Sequence, residues 1–407
     1  MHVRNMIRID LVLGTLVCML LNIVHQAKRP FIKRRVPHEV RNILFMKFFG
    51  MGSLILSMPL VESVRKHYPG ARIYYISFAS NQSVLNRMTG VDEWMVLRTD
   101  SFLRFCRDVV VNLLALRRRG IDMVFDLEFF SRFSMMFSYM TGAPIRVGFY
   151  KLNVGRGNLL THPTYFNHYR HITEVFLALG ESVGIAVPSP ILVPGLKPIP
   201  GAVERVQAML QEHGLDGPGP RVVINVNASE LCLERRWPAE LFAALVDYLI
   251  ERRRVRPILI GSPGERPYVD HVLSICLRGD KAVNLAGNLD FDGLVALLEQ
   301  SDLLITNDSG PLHLAAMLGV PSVSFFGPET PLLYGPIGND NAVFYARVYC
   351  SPCLNVFDAK IAACQGRNIC MQAIGLENVI AKLDSFLDGE KLRPSSEADA
   401  AHPSPGG

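Results

Sequence analysis

Apolar residues gather along the chain in short runs separated by stretches of mixed polarity. Asn42-Ile-Leu-Phe-Met-Lys47 is a run of strand length, and a glycine turn follows it. A helical pattern then extends to Tyr68-Pro69-Gly70, where breaker residues end it. Ala71-Arg-Ile-Tyr-Tyr-Ile76 predicts the next strand. A helical pattern around residues 101–118 leads into a further strand at Asp122-Met-Val-Phe-Asp126. Strands alternating with helices imply right-handed βαβ units and a parallel sheet.

Residues 186–220 break the pattern with seven prolines, from Pro188 to Pro220, and predict a crossing between domains. The alternation then restarts. Arg221–Val226, Pro257–Gly261, Ala282–Leu285, Leu303–Thr306 and Ser322–Phe326 predict strands, with a helix from Pro238 to Arg253. The fold class is therefore α/β: two doubly wound, Rossmann-like halves facing a cleft. Ligands of such sheets bind at the carboxyl ends of the strands. The expected division is an N-terminal segment at 1–40, a first domain at 41–190, a second at 191–380 and a disordered tail at 381–407.

Composition narrows the class. Apolar residues make up 49% and charged residues 19% of 407, which suits large folded cores. The 42 basic and 37 acidic residues give a net charge of +5, and much of it sits in residues 28–41. The remainder is near neutral, so nucleic acid is not an expected partner. Before that basic run, Leu11 to Val24 is an apolar stretch of about 14 residues, shorter than the roughly 20 that span a bilayer. An apolar helix followed by Lys and Arg fits a membrane-surface anchor with its basic end in the cytoplasm. A signal peptide is a rival reading, although no small-x-small cleavage site follows the apolar core, and a helix packed on the body of the protein is the other alternative.

The densest candidate chemistry lies at 302–321. Asp302-Leu-Leu-Ile-Thr306 runs into Asn307-Asp308-Ser309-Gly310-Pro311, and a helix then carries His313. Gly319 ends that helix, and Pro321 prevents its continuation. Asp308 or Ser309 can cap it, Pro311 suits its first turn, and Gly310 lets a ligand approach the backbone. A helix N-terminus beside a glycine is suited to phosphate. Asp308 is better placed to accept hydrogen bonds from sugar hydroxyls or to fix the loop. A capped structural turn explains the same residues without a ligand.

This stretch, continued through Gly319-Val-Pro-Ser-Val-Ser-Phe-Phe-Gly-Pro328, resembles the signature of the heptosyltransferase-like glycosyltransferases, family 9, which have the GT-B fold. Two more motifs carry the resemblance: Lys47-Phe-Phe-Gly-Met-Gly-Ser-Leu-Ile-Leu-Ser-Met-Pro59 and Arg235-Arg236-Trp237-Pro238. The resemblance covers residues 42–380. It implies transfer of a heptose from ADP-heptose to the core of lipopolysaccharide, with inversion and without a metal or other cofactor. It also implies a glycolipid acceptor and work at the cytoplasmic face of a bacterial inner membrane.

The same resemblance implies that Arg236 contacts the donor phosphates and that Glu265 holds the donor ribose, unless Glu265 only favours a helix dipole. His313 could donate to a phosphate or be structural. One departure stands out: family members carry Gly-Asp where this chain has Gly52-Ser53, and that Asp is the family's general base. A serine hydroxyl does not take up a proton near neutral pH. Asp126 and Glu128 follow a first-half strand, and Glu128 is the favoured substitute, unless it is only a surface or loop-fixing acid. Gly50 and Gly52 would let a diphosphate or acceptor approach the backbone. Arg132, Arg146, His168 and Arg170 are candidates to read an anionic acceptor.

Cys350, Cys353, Cys364 and Cys370 are spaced so that they could hold a structural metal, although not as a standard zinc ribbon. Free thiols or a redox pair are the alternatives. Three functions remain: a transferase, a weakened relative that binds without transfer because of Ser53, and a sugar-nucleotide epimerase. A membrane-facing N-terminus argues against the last.

Overall fold

A computed structural model describes residues 9–28 and 39–388, apart from 153–155, 157, 189–190, 192–194, 198, 218, 229–231, 339, 357–360, 363 and 365. Most of the basic run and the end of the tail lie outside the described residues. A π-helical turn (Asp10–Gly14) opens α1 (Thr15–Lys28). The first half follows as β1 (Asn42–Met46), α2 (Met51–His67), β2 (Arg72–Phe78), α3 (Gln82–Arg87), β3 (Glu93–Leu97), α4 (Phe102–Arg119), β4 (Met123–Asp126), α5 (Arg132–Thr141), β5 (Ile145–Tyr150), β6 (His162–Tyr165) and α6 (Ile172–Glu181). The second half contains α7 (Ala202–Glu212), β7 (Val222–Asn225), α8 (Ala239–Glu251), β8 (Ile258–Leu259), α9 (Arg266–Ile275), β9 (Val283–Asn284), α10 (Phe291–Glu299), β10 (Leu303–Asn307), α11 (Gly310–Leu318), β11 (Ser322–Phe326), α12 (Pro331–Tyr334), β12 (Asn341–Tyr345), α13 (Ile369–Gln372) and α14 (Leu376–Leu387).

Each half folds around one six-stranded sheet, ordered β3-β2-β1-β4-β5-β6 and β12-β11-β10-β7-β8-β9. All paired strands are parallel. Numbered within its own half, the second sheet repeats the order of the first. Both are doubly wound, with switch points between β1 and β4 and between β7 and β10. The central strands are apolar runs buried on both faces, as parallel strands under two helical layers must be. Phe45 stacks on Phe125 at 4.9 Å, and Trp237 on Phe325 at 4.5 Å.

The strands expected from apolar runs are present, and β3, β5, β6 and β12 add to them. The Pro-rich crossing contains α7, whose Ala202, Val206 and Leu210 are buried in packing that includes α10. Helix α14 buries Val379 and Leu383 and continues to Leu387, so ordered chain extends past the tail boundary expected at 381.

The N-terminal helix packs on the body. Asp10 accepts hydrogen bonds from the Arg132 and Phe133 amides at 3.0 and 2.6 Å, capping α5 from another segment. Cys18 is fully buried against α5. Asp10 to Lys28 is 19 residues, long and apolar enough to cross a membrane, and its outward face is exposed.

Candidate active site

Both switch points place their loops at the junction of the halves. In the first half, β1 ends at Met46, and the chain turns through Gly50, at φ +85°, into α2. Glu128, just past β4, lies beneath this turn. Its Oε1 accepts hydrogen bonds from Lys47 Nζ at 3.0 Å and from the Phe48 and Phe49 amides. Lys47 is 2% and Glu128 5% exposed. Lys47 also lies over the Phe129 ring at 4.9 Å. Glu128, the acid favoured as base from the sequence, is thus buried with its Oε1 fastening the loop between β1 and α2.

Asp126 is more deeply held. It is fully buried, pairs with Arg156 at 2.6 Å, and accepts from Ser134 Oγ and the Glu128 amide. Burial pushes its carboxyl up to about 6, against the pull of Arg156 and Ser134. It is a buttress for the strand end. Ser53, partly exposed, stands in the first turn of α2.

The second half builds its loop from a hydrogen-bonded lattice. Asn307 donates to the Val226 and Asn227 carbonyls and accepts from the Trp237 amide at 2.9 Å. Asn225 donates to Thr306 Oγ1 and Ser309 Oγ, which are 2.8 Å apart. Ser309 is the N-cap residue of α11, but its side chain caps no amide there. Pro311 occupies the first turn, as expected. Asp308 is 3% exposed and pairs with Arg235 at 3.1 Å. Buried Glu329 also acts on Arg235 electrostatically. Sequence reasoning singled out Arg236 and missed Arg235 and Glu329. Arg236 instead lies over the Tyr268 ring at 3.8 Å, a cation–π contact.

The N-termini of α2 and α11 meet. A Cβ added to Gly52 would lie 2.5 Å from His313 Cδ2, and one added to Gly310 would collide with Met51 Cε. Two helix N-termini without a side-chain cap thus converge between the halves, and both carry partial positive charge.

The other expected residues fall elsewhere. Glu265 closes a capping box with Ser262, accepting from its amide at 2.7 Å. Arg132 donates to Thr15 Oγ1 on the N-terminal helix. Arg146 is buried, donating to the Leu159 and Ala143 carbonyls. Arg170 is exposed beside Glu174, and His168 is partly buried beside Phe166. His171, their neighbour, caps α6 and reaches the Gly335 carbonyl of the other half at 3.0 Å. The four late cysteines do not form the metal group considered for them. Among the described residues, no cluster of three or more His, Cys, Asp or Glu could hold a metal. Cys370 is buried beside Gly327, whereas Cys350 is exposed.

Two doubly wound halves joined at their switch points form the GT-B fold. The family model for "Glycosyltransferase family 9 (heptosyltransferase)" matches residues 114–360, more than half of the chain. The protein belongs to glycosyltransferase family 9 and is a glycosyltransferase. Lipopolysaccharide heptosyltransferase 2 of Escherichia coli is 25% identical over 298 residues, 71% of this chain and 83% of that one. Lipopolysaccharide core heptosyltransferase OpsX of Haemophilus influenzae is 20% identical over 308 residues, 74% and 84% of the two chains. The family 9 glycosyl transferase of Veillonella parvula superposes with TM-score 0.71 at 24% identity, covering 87% of this chain and 99% of its own. The Escherichia coli ADP-heptose heptosyltransferase II does so with TM-score 0.68 at 22% identity, covering 86% and 100%.

Proposed function

We propose that this enzyme moves a heptose or related sugar from a nucleotide sugar, ADP-heptose foremost, to a lipopolysaccharide-core or similar glycolipid acceptor. The observation that carries this is the meeting of the α2 and α11 N-termini beside the Arg235–Asp308 pair. Converging helix dipoles and a cation suit a diphosphate, and they stabilise the charge that grows on it as the sugar leaves. Arg235 serves the diphosphate, and Arg236 flanks it on the Tyr268 ring. His313, Ser309, Gly310 and Pro311 frame it. Asp308, held by Arg235, accepts from sugar hydroxyls. The transfer inverts the anomeric centre and needs no metal, with these groups supplying the positive charge. Lys47 and Glu128 fix the glycine turn against which the acceptor docks. The names of the similar proteins support the donor and acceptor, and the apolar helix at Asp10–Lys28 supports placement at a membrane, which for a lipopolysaccharide-core acceptor is the cytoplasmic face of the inner membrane.

Ser53 favours a second reading, in which the chain binds donor and glycolipid without turnover. One experiment separates the two. Thermal shifts with ADP-, GDP-, UDP- and dTDP-sugars are followed by a transfer assay on heptose-deficient core lipid. ADP-heptose should stabilise the protein most, and label should reach the lipid. Stabilisation without transfer selects the second reading, and no stabilisation by any donor removes both.

A further inference from the structure

Helices α1, α5 and α4 lie side by side in one layer, with α5 in contact with both of the others. Helices α4 and α5 cover the sheet face that carries Leu44, Met46 and Tyr74. Helix α2 covers the opposite face and meets α11, so the three-helix layer faces away from the junction.

The outer surface of this layer is apolar and basic. Helix α4 exposes Leu103, Val110, Val111 and Leu114, with Leu103 78% accessible. Arg107 is exposed between them, and exposed Arg117 and Arg118 follow in the last turn. At 100° per residue, Leu103, Arg107, Val110, Leu114 and Arg117 fall on one stripe. Helix α1 exposes Leu16, Met19, Leu20 and Ile23, the last 66% accessible. The π-turn and the three helices contain two acids in all, and both are occupied. Asp10 caps α5, and Asp108 pairs with Arg98 at 2.7 Å.

We infer that α1 and α4 together form a membrane-binding face for anionic phospholipid, with α1 lying in one leaflet instead of crossing it. Alternating Leu or Val with Arg, and no free acid, matches an anionic headgroup layer over acyl chains. A spanning α1 is incompatible with Asp10 fastened to α5 and Cys18 buried against it. The arrangement would hold the first half on the bilayer while its other sheet face meets the second half. The inference rests on the reading that the acceptor is a membrane glycolipid.

The test uses the full chain and pure lipid vesicles, without donor or acceptor, so its failure is separate from failure of the transfer reading. Vesicles of phosphatidylethanolamine with phosphatidylglycerol should pellet the protein, and an alkaline carbonate wash should release it. Arg107→Gln/Arg117→Gln/Arg118→Gln should weaken that binding by about tenfold or more. Leu103→Ser/Val110→Ser/Leu114→Ser should weaken it on anionic and neutral vesicles alike. These positions are exposed, so unchanged melting temperatures identify folded variants. Wild-type binding by both folded variants would overturn the role of α4. Resistance to carbonate would overturn the in-plane α1. Self-association without vesicle binding would replace the lipid with a second copy of the chain.

Discussion

Gly52 and His313 touch across the junction of the two halves, and a single added methyl at Gly52 would sit 2.5 Å from the His313 ring. Gly52→Ala should therefore push the two helix ends apart. Overpacking of this kind costs about 1–3 kcal/mol, so donor affinity should fall by about tenfold. Removing the ring first should remove the clash. In a His313→Ala background, the same Gly52→Ala change should cost little, as isothermal titration of donor into the four proteins would show. Equal losses in both backgrounds would mean that the contact does not set the geometry of the site.

Arg235 and Arg236 are neighbours with different tasks. Arg235→Ala leaves Asp308 buried without its cation, and Arg236→Ala removes a cation from an aromatic face. The first should lower transfer by about 10²–10³-fold, as loss of a preorganised charge does. The second should cost about tenfold or less, near the worth of a cation–π contact. Steady-state rates with ADP-heptose decide it, and the reverse order would return the donor cation to Arg236.

The sequence points to Arg236 and does not show that Arg235 is the one that meets Asp308. After a short 3-10 turn at Leu233–Arg235, adjacent side chains diverge, and which one meets Asp308 is set by a contact 73 residues away. The central strands were legible because burial on both faces makes them apolar runs, as in Leu303-Leu-Ile-Thr-Asn307. Strands β3 and β6 were not, because each lies at a sheet edge with mixed polarity, as in His162-Pro-Thr-Tyr165. The helical loop signature was legible for the opposite reason, since Gly, Pro and a capping residue have local meanings. Glu128 shows the limit. An acid in Phe125-Asp-Leu-Glu-Phe-Phe130 signals something buried and paired, and only the fold brings Lys47 to it.

Ser53 and Glu128 predict opposite behaviour. Ser53→Ala should leave transfer within about twofold, because a hydroxyl supplies no base near neutral pH. Glu128→Gln breaks a buried ion pair and should cost about 3–5 kcal/mol of stability. Its rate loss should be accompanied by a lower melting temperature, and the shape of the rate–pH profile should be unchanged. A Glu128→Gln enzyme of full stability that has lost transfer and the acid limb of its profile would restore the base assignment.

His171 ties the halves together in a pH-dependent way. It accepts from the Thr173 amide through Nδ1 and donates through Nε2 to the Gly335 carbonyl. Burial holds its pKa below the ordinary 6.5, and the Gly335 bond and Glu174 oppose the shift only in part. The unfolded chain therefore binds more protons than the folded one just below pH 6.5, and stability from this group, full above that pH, is lost as pH falls. Asp126 acts in the opposite direction, since its raised pKa near 6 relieves a burial cost as pH drops. The two contributions overlap, so the difference between proteins is the useful quantity. His171→Asn can keep the cap on Thr173 and removes the titrating ring. Above pH 7 the variant should be less stable than wild type by about 1 kcal/mol, the worth of the lost hydrogen bond. Between pH 6.5 and 5 the gap should narrow, because only the wild type pays for protonation. Urea unfolding across this range measures it, and a gap that stays constant or widens toward acid would show that His171 does not titrate as the junction geometry requires.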